Sequence, residues 1–164
     1  MPHELGASSV TSRRRKLAAL LLALAVALGA AGCGGGSDRL SKSQYEGKLK
    51  DISSSFQSIS TAFQGNNTSI GAVEQKMGTA QTKLQDAADS LNGLKPPKDA
   101  AADNKKLAGA LSSLAKAVNN VKQALAAKNL AQVSANVKAL QSSPAIKDAR
   151  DATADLQKKG YKVG

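Results

Sequence analysis

From Tyr45 onward, apolar residues return every three or four positions through five successive segments, and this spacing leaves little but helices for the chain to form. The first segment carries Tyr45, Leu49, Ile52, Phe56, Ile59 and Phe63, and Gly65-Asn66-Asn67-Thr68 ends it. The second runs from Ile70 through Val73, Met77, Ala80, Leu84, Ala87 and Leu91 to Leu94. Pro96-Pro97 breaks the chain and starts a third helix with Leu107, Leu111, Leu114, Val118, Val121 and Leu125, because proline is tolerated in a first turn. The fourth segment has Leu130, Val133, Val137 and Leu140, and the fifth has Ile146, Ala149, Thr153 and Leu156.

Local signals bound these segments. Ser41-Lys42-Ser43-Gln44 has the form of a capping box, and Leu40 with Tyr45 forms a hydrophobic staple around it. Lys128-Asn129 predicts a tight turn with Asn129 as the next N-cap. Ser143 is a good N-cap with Pro144 at the first helical position, and Gly160 is a suitable residue just past a helix end. Tyr161 and Val163 are expected to fold back onto the helices. The sum is an all-α chain: an antiparallel up-down-up-down four-helix bundle with the last helix broken near Pro144, preceded by a signal and anchor segment. Because the bulkiest side chains lie on the first helix, that helix is expected to anchor the core.

The segment ahead of the bundle carries the clearest functional signal. The cationic run Arg13-Arg14-Arg15-Lys16 precedes the apolar run Leu17 to Leu28, then Gly29-Ala30-Ala31-Gly32, then Cys33, the single cysteine. This is the order of an export signal. The apolar run is shorter than the ~20 residues a helix needs to cross a bilayer. Ala30-Ala31-Gly32-Cys33 resembles the lipobox of bacterial lipoproteins, with Ala30 where leucine is commoner. The resemblance implies cleavage before Cys33 and a diacylglycerol, with further acylation such as palmitate, on that residue. A plain secretory signal is the competing reading, and it leaves Cys33 as a thiol with no disulfide partner. Ser12-Arg13-Arg14 fits both the general and the twin-arginine export routes. The expected organisation is a signal peptide over residues 1–32, a lipidated cysteine and flexible tether over 33–39, and a helical domain over 40–164. Leu40 to Tyr45, Ser143-Pro144 and Gly160-Tyr161 are similar to small helical lipoproteins of actinobacteria-like organisms. That resemblance implies an envelope setting and no activity.

Composition excludes much chemistry. The only histidine is His3, inside the signal, so the mature chain has no imidazole and, once Cys33 is acylated, no thiol. Ser–His and Cys–His nucleophiles and zinc sites built from His and Cys are ruled out. No catalytic residue, metal site or cofactor is expected, and the chain is not expected to be an enzyme. Of 23 Lys plus Arg and 12 Asp plus Glu, only four basic residues and Glu4 precede Cys33, which leaves the mature chain at a net charge of +8.

Lysines occur along every helix, among them Lys48, Lys50, Lys76, Lys83, Lys105, Lys106, Lys116, Lys122, Lys158 and Lys159. They point to attraction for an envelope polyanion or to a solvated face. Scarce arginine, absent aromatic platforms and the export signal argue against nucleic acid. Asp148, Asp151 and Asp155 share a face of the last helix, while Asp99 and Asp103 open the third. They suit either a weak cation site or helix-dipole compensation and pairing with Lys147, Arg150, Lys158 and Lys159. Asn67-Thr68-Ser69 is a glycosylation sequon with no role in a bacterial lipoprotein, and Tyr161 to Gly164 is either a recognition tail or an ordinary helix end. The expected function is a monomeric, lipid-anchored binding or scaffold module at the outer face of the cytoplasmic membrane. It would contact the membrane through Cys33 and, beyond that, an envelope polyanion or another exported protein. The alternative is a carrier that holds an apolar or lipid-like ligand between its helices.

Overall fold

The computed structural model describes residues 38–64 and 69–163, with the side chains of 58–64 excepted. Cys33 and the signal, the tether before Asp38, the Gly65 to Thr68 turn, the sequon at Asn67 and the side chains of Ile59 and Phe63 lie outside the described residues. Among those described, all regular structure is helical: α1 (Lys42–Gln64), α2 (Ile70–Gly93), a short 3-10 turn (Lys98–Ala100), α3 (Ala101–Ala126), α4 (Leu130–Gln141) and α5 (Pro144–Lys158). None of these helices is long and apolar enough to cross a membrane. Residues Asp38–Gly164 form one compact unit.

The helix starts follow local side-chain chemistry. The Ser41 N–H donates to Gln44 Oε1 at 2.9 Å and the Gln44 N–H donates to Ser41 Oγ at 3.3 Å, closing the capping box reciprocally. Ser69 Oγ accepts from the Ala72 N–H and Asn129 Oδ1 from the Gln132 N–H. Ser143 Oγ accepts from the Ala145 N–H, with Pro144 as the first residue of α5. The third helix departs from expectation. Pro97 leads into the 3-10 turn, and α-helix begins only at Ala101. Consecutive prolines push the residues before them toward extended backbone, so the chain re-enters helix through one tight turn first.

Two helix ends close by the same motif with different residues. At the end of α5, the Tyr161 N–H donates to Leu156 O at 3.0 Å and the Gly160 N–H to Gln157 O at 2.8 Å. At the end of α3, the Asn129 N–H donates to Ala124 O at 3.0 Å and the Lys128 N–H to Leu125 O at 2.9 Å. Both are Schellman closures, which need a left-handed residue. Gly160 supplies it at φ +78°, whereas Lys128 adopts φ 53° against the steric preference of an L-residue. Lys128→Gly is therefore expected to stabilise the domain by about 0.5–1 kcal/mol, and Gly160→Ala to destabilise it by about 1 kcal/mol. Urea unfolding monitored by circular dichroism would show the opposite signs.

The core corrects the expectation that α1 anchors it. Eleven positions of α3 are buried: Asp103, Asn104, Leu107, Ala108, Ala110, Leu111, Ala115, Val118, Val121, Ala124 and Leu125. They lie on more than one face because α2, α4 and α5 all pack against α3. From α1, Tyr45 and Leu49 are buried while Phe56 is only partly so. The apolar seam of α4 is also less covered than its spacing suggests. No residue of that helix is buried, and Leu130 is 70% exposed.

Candidate functional site

The most structured polar cluster joins α1, α2, α3 and the segment after α5. Tyr45, fully buried, donates its hydroxyl to Asn104 Oδ1 at 3.1 Å, and Asn104 Nδ2 donates to the Leu91 carbonyl at 2.9 Å. Tyr161 meets Tyr45 edge to face, with ring centroids 5.6 Å apart and planes at 86°. The Tyr161 hydroxyl donates to Asp99 Oδ1 at 2.8 Å, and Lys42 Nζ stands 5.0 Å from the centre of its ring. Lys159 Nζ donates to Asp103 Oδ2 at 2.6 Å and to the Asp99 carbonyl at 2.7 Å. The Lys162 N–H donates to Glu46 Oε1 at 3.0 Å. The expected fold-back of the C-terminus is thus a clamp that closes over the starts of α1 and α3.

The electrostatics of this clamp suit structure better than reactivity. Burial, reinforced by the Asp103 charge, pushes the Tyr45 hydroxyl well above the ordinary tyrosine range. Burial and then the hydrogen bond to Asp99 push Tyr161 up to about 12. The hydrogen bond to Asp103 raises Lys159. A tyrosine base or a lysine nucleophile needs the opposite shift. Among the described residues, no buried side-chain nitrogen or oxygen lacks a hydrogen-bond partner.

The acidic residues singled out from sequence do not converge. Asp148 and Asp151 face Lys106 of α3 at 3.6 and 3.7 Å, Asp151 also pairs with Lys147 at 2.6 Å, and Asp155 with Lys158 at 3.2 Å. The hydrogen bond from Lys147 holds Asp151 below its ordinary value. Asp103 is a buried partner of Lys159, which corrects its reading as dipole compensation alone; Lys159 gives its hydrogen bonds to Asp103 and the Asp99 carbonyl and also feels the charge of Asp155 on α5. No group of three or more His, Cys, Asp or Glu side chains among the described residues is placed to hold a metal ion.

The lysines are likewise dispersed. Lys48, Lys50, Lys105 and Lys116 are exposed, Lys122 donates to Gln81 Oε1 at 3.3 Å, and Lys83 lines a shallow cleft with Asp51 and Asp86. Lys105 and Lys106 border an open groove of about 720 Å³ between α3 and the start of α5, beside Ser113, Ser143 and Asp148. An apolar cavity of about 180 Å³ lies between α1 and α3 under Val163, lined by Leu49, Ile52, Phe56, Leu107 and Leu111. Ligand pockets usually span roughly 300–1,000 Å³, so this cavity is too small for a whole lipid-like molecule. Compared with models of protein families, with curated proteins and with solved structures, the chain matches none.

Proposed function

We propose that this chain is a lipid-anchored, non-catalytic binding or scaffold module of the bacterial cell envelope. It is exported by residues 1–32 and held at the outer face of the cytoplasmic membrane through Cys33. The observation that carries the reading is the charged, apolar and small-residue order ending at the single cysteine. The domain is read as an up-down-up-down four-helix bundle whose fourth leg is α4 and α5, broken at Pro144. Contacts between Asn104 and Leu91, Lys122 and Gln81, Asn136 and Asn120, and Lys159 and Asp103 support that arrangement. So does the spacing of its turns. The lack of imidazole after His3, with two tyrosines and Lys159 held protonated, supports a role without catalysis. The module acts as a monomer and contacts an envelope polyanion or another exported protein, without nucleic acid, metal or cofactor.

A carrier is the second reading, favoured by the apolar cavity beneath Val163. Its volume accommodates part of an alkyl chain and supports the scaffold reading more strongly. Replacing Cys33 by Ser tests the anchor. The variant should leave the membrane fraction, or stay there uncleaved with its signal attached. Normal processing and normal retention of Cys33→Ser would remove the basis of the proposal.

A further inference from the structure

Charge is divided unequally along the helices. Between Asp103 and Asp148 the sequence has seven lysines and no carboxylate side chain, and between Asp51 and Asp86 its only carboxylate is Glu74. The ion pairs of Lys95, Lys106, Lys147, Lys158 and Lys159 involve carboxylates outside those stretches: Asp38, Asp103, Asp148, Asp151 and Asp155. Lys116, Lys128 and Lys138 are exposed and pair with no carboxylate among the described residues. The described residues include two large exposed hydrophobics, Ile70 at 52% and Leu130 at 70%.

Ile70, Leu130 and Lys128 fall at one end, and Lys116 and Lys138 lie on the part of α3 and α4 that leads to it. Lys122 of α3 packs near Gly78 and bonds to Gln81 of α2. Ile70 lies eight residues before Gly78, and Leu130 eight residues after Lys122. Both therefore lie beyond that contact in the same direction, away from the Tyr45–Asn104–Tyr161 clamp. The bond from Asn136 Nδ2 to the Asn120 carbonyl lays α4 back along this half of α3, which brings Lys138 near the level of Val118.

We propose that this half of the domain, with Ile70, Leu130 and Lys128 at its tip and Lys116 and Lys138 along its length, is a docking surface for an anionic lipid bilayer. Lysines without carboxylate neighbours attract a layer of phosphates, and two apolar side chains among them match the apolar boundary beneath such a layer. A soluble polyanion offers the charge but nothing for Ile70 and Leu130. The inference deepens the envelope reading by naming the partner of the lysines, and it does not depend on acylation of Cys33.

The test uses the chain from residue 33 with Cys33→Ser, whose described core is contained in the unit Asp38–Gly164. Circular dichroism first establishes that each variant keeps its helix content. Binding is measured to vesicles of phosphatidylglycerol in phosphatidylcholine, to phosphatidylcholine alone, and to soluble poly(glycerol phosphate). Lys116→Glu, Lys128→Glu and Lys138→Glu together should weaken binding to the anionic vesicles by about a hundredfold. The same change in net charge at Lys48, Lys98 and Lys162 should leave it within about twofold. Ile70→Ser with Leu130→Ser should weaken vesicle binding by about tenfold and leave the polymer unaffected. Equal loss from either lysine set, no preference for anionic vesicles, or a polymer bound as tightly as the vesicles would overturn the proposal. Because the assayed chain has no lipid, its result is independent of the Cys33 experiment.

Discussion

Tyr45→Ala is expected to lower the unfolding free energy by about 3–5 kcal/mol, the range for truncating a large aromatic inside a core. Tyr45 is 0% exposed, lies in the cluster with Leu91, Leu156 and Tyr161, and satisfies Asn104 through its hydroxyl. Tyr45→Phe separates the two contributions. It keeps the ring and leaves Asn104 Oδ1 buried without its donor, at about 1–2 kcal/mol. Phe56→Ala provides the comparison. Its side chain is only partly buried against the core, so its removal should cost about 1–2 kcal/mol. Urea unfolding of the three variants ranks them directly, and a larger effect at Phe56 than at Tyr45 would move the centre of the core along α1.

A steep loss of stability in alkali is the second large effect. In the unfolded chain Tyr161 ionises near its ordinary value of 10.0, while in the folded domain its proton is held to about 12. The unfolded state therefore binds fewer protons between these values. The contribution of Tyr161 is complete below pH 10 and is lost progressively as pH rises to about 12. Tyr45 shifts in the same direction through burial, and Lys159, raised by Asp103, likewise loses its contribution as pH climbs above its ordinary 10.5. Asp151 has the reverse sign: held below its ordinary 3.8, it contributes above that value and loses the contribution in acid, modestly because it is solvent-exposed. Melting temperature followed across the alkaline range should fall with the rise of tyrosinate absorbance, and Tyr161→Phe should flatten its part of the fall. A melting temperature unchanged through pH 12, or a tyrosinate transition centred at the free value of 10.0 with the fold intact, would contradict the clamp geometry.

What the sequence makes legible here is what local backbone chemistry decides. Ser41 with Gln44, Asn129, Ser143 with Pro144, and Gly160 act on groups within a few residues, so their patterns carry the geometry. The centrality of α3 is hidden because its extra buried faces are made by Ala108, Ala110, Ala115 and Ala124. Alanine allows helices to approach closely but adds no bulk to an apolar pattern. The partners of the charges are hidden for another reason. Lys159 reaches Asp103 across 56 positions, and Lys106 reaches Asp148 and Asp151 from a different helix. No spacing rule links residues that only the packing brings together. Ser69, the cap of α2, was within reach of such rules, since it directly precedes the apolar periodicity beginning at Ile70.

The first residues of the domain also determine how a pull on the chain is shared. Asp38 pairs with Lys95 at 3.0 Å, Arg39 Nη1 donates to the Pro96 carbonyl at 2.9 Å, and the Leu40 N–H donates to the Lys95 carbonyl at 2.7 Å. Tension arriving along the chain from before Asp38 meets these three links before it reaches the first turn of α1. They hand the load to the corner between α2 and α3, next to the helix that contributes more buried residues than any other described. The corner acts as a strain relief: a tug on the N-terminal end of the domain is shared with that corner, instead of falling on the first turn of α1 alone.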